Sequence, residues 1–145
     1  MGNQCPCGVI VNASAANKHV RFLGHRGTVK GDLTYQANVC VDRLQSSTLS
    51  LKFIDKDCDG RDLSFQFIAD TILEVDCVNE GNCCLIGIIG SGTVNGARHD
   101  FAAIFMDQAP PETTDRVKLF VIDQFFDQNG IVSVPQGTIM NQGCS

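Results

Sequence analysis

The chain has 145 residues, of which 43% are hydrophobic and 19% charged, and its formal net charge at pH 7 is −5. This length and composition predict one folded domain with a hydrophobic core. The 11 basic side chains are scattered, which argues against the basic face that nucleic acids and anionic membrane surfaces require. No apolar run reaches the length of a transmembrane helix, so we expect no membrane insertion.

The first 17 residues differ in composition from the rest of the chain. They are rich in Gly, Asn, Ala and Ser and contain one short apolar patch at residues 9–11. We interpret residues 1–17 as a flexible N-terminal arm or connector and residues 18–145 as a single domain. The alternative is that residues 9–11 belong to a first strand that pairs within its own domain.

Alternation of apolar and polar residues predicts β-strands along most of the remaining chain. In residues 33–41 the odd-numbered side chains are apolar and form one face. The even-numbered side chains, which include Cys40, form the polar face. In residues 72–77 the same alternation places Cys77 on one face with Leu73 and Val75. The other predicted strands are residues 19–23, 49–53, 63–67, 84–89, 101–106, 117–122 and 131–134.

Turn-forming pairs separate these segments. Asn95-Gly96 is typical of a two-residue hairpin, because both residues accept a positive φ. Many short strands without sustained helical spacing predict an all-β fold. We expect an antiparallel β-sandwich, jelly-roll-like, or a barrel, with a flexible cysteine-bearing N-terminal arm.

The chain contains 8 cysteines, a number that bears on whether the protein is exported or cytosolic. Disulfide-rich domains are usually exported, whereas cytosolic cysteines usually serve metals or catalysis. The N-terminus has no basic region followed by an apolar stretch, so we expect no classical signal peptide. Three interpretations are open: a mature chain after signal removal, a metal protein, or a protein released from its cell without a signal.

Disulfides agree best with the cysteine positions, although eight cysteines allow many pairings. Cys83 and Cys84 are adjacent, so in a strand they point to opposite faces and find different partners. A disulfide from a flexible chain end would add little to the stability of its own domain, but it could link two chains firmly. The candidates for bridges between chains are Cys5, Cys7, Cys144, Cys83, Cys84 and Cys40, and the other disulfide candidates are Cys58 and Cys77.

The segment DKDCDGRD, residues 55–62, matches the opening of a calcium-binding loop, D-x-D-x-D-G. Asp55, Asp57 and Asp59 are therefore candidate calcium ligands. The twelfth position of such a loop is Gln66 instead of Glu, and strands flank it, so an acidic hairpin tip is the alternative. Zinc fits less well, because the chain has Cys5-x-Cys7 and Cys83-Cys84 but no C-x-x-C pair. We expect no other cofactor.

The sequence gives little support for catalysis, and we expect that the protein is not an enzyme. The GSG at residues 90–92 lacks the G-x-S-x-G pattern of a nucleophile elbow. The longer GSGTVNG precedes a predicted hairpin instead of the helix that a dinucleotide-binding loop requires. His99 and Asp100 are sequence neighbours, so their side chains point to opposite faces of a strand.

The segment GSGTVNGARHDFAAIFMDQ, followed by TDRVKLFVIDQFFDQNGIV, resembles a β-domain that recurs in secreted and surface-attached bacterial proteins. That family reads approximately G-T-G-T-V-N-G, then D-x-F-R-I-x-I-W-D and G-x-V-V-Y-D. The matching residues are Gly90, Gly92, Thr93, Val94, Asn95, Gly96, Phe101, Phe105, Asp107, Asp115, Lys118, Leu119, Val121, Asp123 and Gly130. The family's Trp is Ile122 here. The resemblance implies an extracellular structural or adhesive domain without catalytic residues.

The layout of the chain resembles the subunits of bacterial endospore appendages, in which an N-terminal arm docks into a neighbour and is fixed by disulfides. The resemblance implies a subunit that assembles with itself into a disulfide-cross-linked fibre, extracellular or on a spore or cell surface, without a signal peptide. The alternatives are a monomeric secreted calcium-dependent adhesion or binding module with internal disulfides, and a zinc-bound intracellular domain.

Overall fold

The structure, a computed structural model, describes residues 5–57 and 60–144. Most of these residues lie in antiparallel strands, and a 3₁₀ segment, Val41–Ser46, follows the second strand. The strands are β1 (Gly8–Phe22), β2 (Val29–Cys40), β3 (Thr48–Asp55), β4 (Phe65–Glu80), β5 (Cys83–Val94), β6 (Ala97–Gln108), β7 (Thr114–Ile122), β8 (Phe126–Asp127), β9 (Val132–Pro135) and β10 (Ile139–Gln142).

The strands form a closed barrel. Consecutive strands are neighbours from β1 to β8, and β1 also pairs with β8, which closes the sheet. β10 pairs with the first part of β1, and β9 pairs with the first part of β7. The predicted all-β, antiparallel fold is confirmed. The strand order is that of an up-and-down barrel instead of a jelly-roll.

Apolar side chains fill the barrel interior. The odd-numbered residues of β2 and β3 point inwards, as the alternation predicts, and Leu33, Leu51 and Phe53 are completely buried. One buried polar pair accompanies them: the hydroxyl of Tyr35 donates a 2.7 Å hydrogen bond to Oε1 of Gln128. The Gln128 amide nitrogen donates in turn to two backbone carbonyl oxygens, so this buried amide has partners at both ends.

β4 is one strand of 16 residues, where the sequence predicts two, at residues 63–67 and 72–77. Two register shifts against β5, after Ala69 and after Ile72, interrupt its alternation. The prediction that Leu73 shares a face with Val75 and Cys77 is therefore wrong. Leu73 is 60% exposed, because Ile72 points into the core in its place.

The glycines of GSG allow β4 to pass close over β5. At Gly92 an added Cβ would lie 2.7 Å from the Phe67 ring and from Cα of Ala69, and Gly90 is similarly crowded. These glycines therefore have a steric role where the bulged strand bends. The following Asn95 and Gly96 have φ values of 52° and 82° and connect β5 to β6. The predicted two-residue hairpin is confirmed.

Residues 8–17, which the sequence analysis assigns to an arm, lie in β1 and pair with β2 and, over residues 8–11, with β10. This placement corresponds to the alternative interpretation, a first strand within its own domain. A bulge between Ala15 and Lys18 divides the strand, and Asn17 there has a φ of 56°. The predicted boundary between arm and domain, after residue 17, thus coincides with a bulge inside one strand.

Among the described residues, the single helical segment is too short to cross a membrane.

Candidate functional site: the disulfide end of the barrel

The described cysteines all lie at one end of the barrel, which we call the disulfide end. β1 and β5 begin there, and β2, β4 and β10 end there, since Gly8 pairs with both Cys40 and Gln142 and Glu80 pairs with Cys83. The first and last described residues of the chain are therefore brought to the same end.

Three disulfides form among the cysteines that the structure describes. Their Cα–Cα distances are 5.8, 5.9 and 5.9 Å, within the usual range for disulfides. The N-terminal segment is thereby linked to β2 and β4, and the C-terminal segment to β5. The bridges are Cys5–Cys40, Cys7–Cys77 and Cys84–Cys144.

The Cys5–Cys40 bridge is closely packed. Cys5 and Cys40 are 7% and 1% exposed. An added Cβ on Gly8 would lie 2.7 Å from Sγ of Cys5, and one on Gly143 would lie 2.9 Å from the Cys5 carbonyl oxygen. The two ends of the chain thus cross in contacts that side chains would prevent. Cys40 belongs to the polar face by alternation, but its bond to Cys5 buries it.

Two carboxylates position the C-terminal segment. Asp115 is fully buried, and its Oδ2 accepts hydrogen bonds from the backbone N–H groups of Gly137 (2.9 Å) and Ile139 (3.1 Å). Oδ2 of Asp107 accepts two 2.8 Å bonds from the backbone and side-chain N–H groups of Asn141. These donors replace water around the carboxylates and fix β10, which leads to Cys144. In the sequence both residues stand out only as matches to a family pattern.

Cys83 carries the only unpaired thiol among the residues that the structure describes. It is half-buried at the start of β5, beside the exposed turn Gly81-Asn82. Its neighbour Cys84 is 4% exposed and bonded to Cys144, so the prediction that the two cysteines point to opposite faces is confirmed. The second partner that the sequence predicts, one for Cys83, is not found among the described residues. A shallow groove beside Cys83 is lined by Asn79, Asp107 and Asn141.

The predicted cysteine sites therefore fall into three groups. Cys5, Cys7, Cys40, Cys84 and Cys144, predicted to bridge between chains, have partners in their own chain, as does Cys77. Cys83 is free, and Cys58 lies outside the described residues. Each of the five predicted cysteines could bridge to another chain only if the neighbouring chain supplied the cysteine that is its partner here. Bridges between chains therefore stay a prediction.

The acidic tip lies at the opposite end of the barrel, between β3 and β4. Asp55 accepts hydrogen bonds from the backbone N–H groups of Asp57 (2.8 Å) and Leu63 (2.9 Å), and Oδ2 of Asp57 accepts one from the backbone of Lys30 (2.9 Å). These carboxylate oxygens organise the loop itself. Asp59 lies outside the described residues, so the calcium site stays a prediction.

An ion pair between Lys56 and Asp32 lies at this end of the barrel. The side chain of Lys56, 2.9 Å from Oδ2 of Asp32, and the backbone N–H of Asn17 hold the pKa of Asp32 below its usual value. In the described parts of the chain, no three His, Cys, Asp or Glu side chains are placed to hold a metal ion. The cysteine pair considered for zinc, Cys5 and Cys7, is bonded elsewhere.

Comparison with protein-family models, with curated proteins and with solved structures finds no match to this chain.

Proposed function

We propose that the chain is a structural subunit that assembles with itself into a disulfide-cross-linked fibre, extracellular or on a spore surface. The observation that supports this proposal is the position of residues 5–15. They form a short strand with a cysteine pair in front and a bulge behind, and they are held by two neighbouring strands and two disulfides.

This segment makes contacts that a neighbouring subunit can supply equally well. Within the chain it fills the position between β2 and β10 and buries Val9, Val11 and Ala13. The same segment from a second molecule would form the same backbone hydrogen bonds and bury the same side chains. Exchange of an identical element is a low-cost route to assembly, and when it runs head to tail without closing it produces filaments.

The hinge for such an exchange lies at the bulge. Asn17 has a positive φ, and the register of β1 against β2 shifts between Ala15 and Lys18. The residues after the bulge stay in their own barrel through the pairing of β1 with β8. In the exchanged form Cys5 and Cys7 would bond to Cys40 and Cys77 of the neighbour.

Disulfide density supports an oxidising location. Three bridges in a domain of this size are typical of secreted and surface proteins. Bridges between subunits would make the fibre resistant to dissociation, because release would then require reduction as well as strand withdrawal.

The experiment is refolding of an isotopic mixture. Reduced, unfolded chains in ¹⁴N and ¹⁵N form are mixed, oxidised and digested with trypsin without reduction. Cys58→Ser and Cys83→Ser in both forms exclude links through the cysteines outside the three bridges. Bridges within one chain give linked peptides that are all light or all heavy, whereas exchange gives linked peptides of mixed isotope.

We expect mixed linked peptides, ladders on non-reducing gels, and filaments in negative stain. Uniform isotope composition with monomers at all concentrations would refute the proposal. A monomer whose melting temperature falls on addition of a calcium chelator would instead support the alternative, a calcium-dependent adhesion or binding module.

A further inference from the structure

The outer surface of the barrel is apolar on one side. Over residues 85–89 of β5, 102–106 of β6 and 119–122 of β7 both faces of the strands carry apolar side chains. These parts of the strands lack the polar outer face of a sheet exposed to water, whereas the first part of β6 has Arg98 and Asp100 exposed. We define the outer apolar face by its largest outward side chains, all half-buried or exposed: Leu85, Ile89, Ile104, Met106, Leu119 and Val121.

The register places these side chains in adjoining rows. Residues that are directly opposite in an antiparallel pair point to the same face. Leu85 lies opposite Met106, and Ile104 lies opposite Leu119. Ile89 pairs with Ala102, which pairs with Val121.

The outward positions on the other side of the same barrel are mostly polar, although Ile54 of β3 is 41% exposed. In β2 they include Thr34, Gln36 and Asn38, and in β3 they include Ser50 and Lys52. Both sides enclose the same apolar interior, so the core does not require an apolar exterior. The difference between the two sides therefore points to something that covers the outer apolar face.

The size of the face suits a protein partner. Three strands, β5 to β7, spaced about 4.8 Å apart and three outward positions about 6.8 Å apart give an apolar surface of about 300 Å². This is somewhat more than a third of the roughly 800 Å² that each partner contributes to a standard interface. Polar residues at the rim can supply the remainder, as they do in interfaces generally.

Charges of opposite sign lie along opposite edges of the outer apolar face. On the β4 edge Asp76 and Glu74 are exposed, next to Gly87 and Ile89 of β5. On the β7 edge Arg116 lies opposite Met106, and Lys118 is the extra residue of a bulge.

None of these four charges forms an ion pair within the described parts of the chain. Nε of Arg116 is buried without a hydrogen-bond partner. Each edge therefore has unpaired charge that a partner of opposite sign can neutralise.

We propose that the outer apolar face binds the same face of a second copy of this chain. A two-fold axis parallel to the strands would place the acidic β4 edge of each copy over the basic β7 edge of the other. The surface is thus complementary to itself in charge as well as in hydrophobicity, which a symmetric dimer requires. This dimer needs no bridge between chains, so it stands independently of the fibre.

The test uses the oxidised chain with Cys58→Ser and Cys83→Ser, so that no disulfide can form through a cysteine outside the three bridges. Sedimentation velocity over roughly 1 to 100 µM measures the monomer–dimer equilibrium. We expect a dimer, and we expect Ile104→Glu, in the centre of the face, to raise its dissociation constant at least about tenfold. Gln36→Glu, on the polar outer side, is the matched control and should leave the constant unchanged.

A charge exchange tests the orientation. Asp76→Lys and Arg116→Glu should each weaken the dimer at low salt, and the double variant should recover most of the affinity. Near-ultraviolet circular dichroism checks that each variant is folded. A second measurement requires no substitution: amide signals of β5 to β7 should shift with protein concentration, while those of β2 and β3 stay constant.

Three results would overturn the proposal. The first is a monomer across the whole concentration range with no concentration-dependent amide shifts. The second is equal weakening by Ile104→Glu and Gln36→Glu. The third is a monomer that co-sediments with phosphatidylcholine vesicles, which would assign the face to a lipid surface instead.

Discussion

Removal of the Cys7–Cys77 bridge should cost more stability than removal of Cys5–Cys40, because it opens a loop twice as long. The two bridges close segments of 70 and 35 residues. In the chain-entropy treatment these loops contribute about 4.4 and 3.8 kcal/mol at 25 °C. The difference of about 0.6 kcal/mol is the cost of one doubling of loop length.

The variants are Cys7→Ala with Cys77→Ala, and Cys5→Ala with Cys40→Ala. Alanine is chosen because a serine hydroxyl at the buried Cys40 would add a cost of its own. All measurements are made in a Cys58→Ser, Cys83→Ser background, so that no spare thiol can exchange with the bridges. With an unfolding entropy of about 2.1 cal/mol/K per residue, loss of the longer loop lowers the melting temperature by about 14 °C.

Urea unfolding followed by circular dichroism gives the free energies of unfolding. A loss below about 1 kcal/mol for the Cys7–Cys77 variant would refute the loop argument. So would a clearly larger loss for the Cys5–Cys40 variant. Non-reducing gels check that the bridges lie within one chain, and all variants are compared at one protein concentration, because self-association of the folded chain adds stability that depends on concentration.

Three further substitutions or titrations test the core. Gly92→Ala should lower the free energy of unfolding by about 2 kcal/mol, because the added Cβ meets β4, whereas Gly87→Ala, which has open space, should cost little. Burial raises the pKa of Tyr35, the single tyrosine, so the absorbance of its phenolate should appear only when the protein unfolds. The phenol of the unfolded chain ionises at a pH of about 10. The free energy of unfolding should therefore be constant below that pH and fall above it. Asp115→Ala leaves buried backbone N–H groups without acceptors and should cost about 2 kcal/mol, with faster amide exchange in β10 as the specific sign.

The fold class could be predicted from the sequence because one face of most strands is buried. In β2 and β3 the alternation is strict, and the predicted inward side chains are the buried ones. Asn95-Gly96 was predictable because few residue pairs accept two positive φ values. β4 was predicted as two strands because its bulges break the period of two, and a bulge has no reliable signal in a single sequence.

The disulfide end could not be predicted from the sequence in the same way. Which cysteines meet depends on barrel closure, which brings residue 7 beside residue 77 and residue 84 beside residue 144. Alternation indicated that Cys83 and Cys84 differ in face, but not which one is free. The outer apolar face did have a signal in the sequence: the segments CLIGII and FAAIFM are apolar at consecutive positions, which indicates strands covered on both faces.

The meeting of the first and last described residues at one end gives the barrel a direction. Any polypeptide joined to either terminus leaves from the disulfide end, and the loop between β3 and β4 points the opposite way. A molecule attached through its termini would therefore present that acidic loop outwards. Tags or fusion partners placed at the two termini would crowd one another, whereas an insertion into the loop would project from the free end.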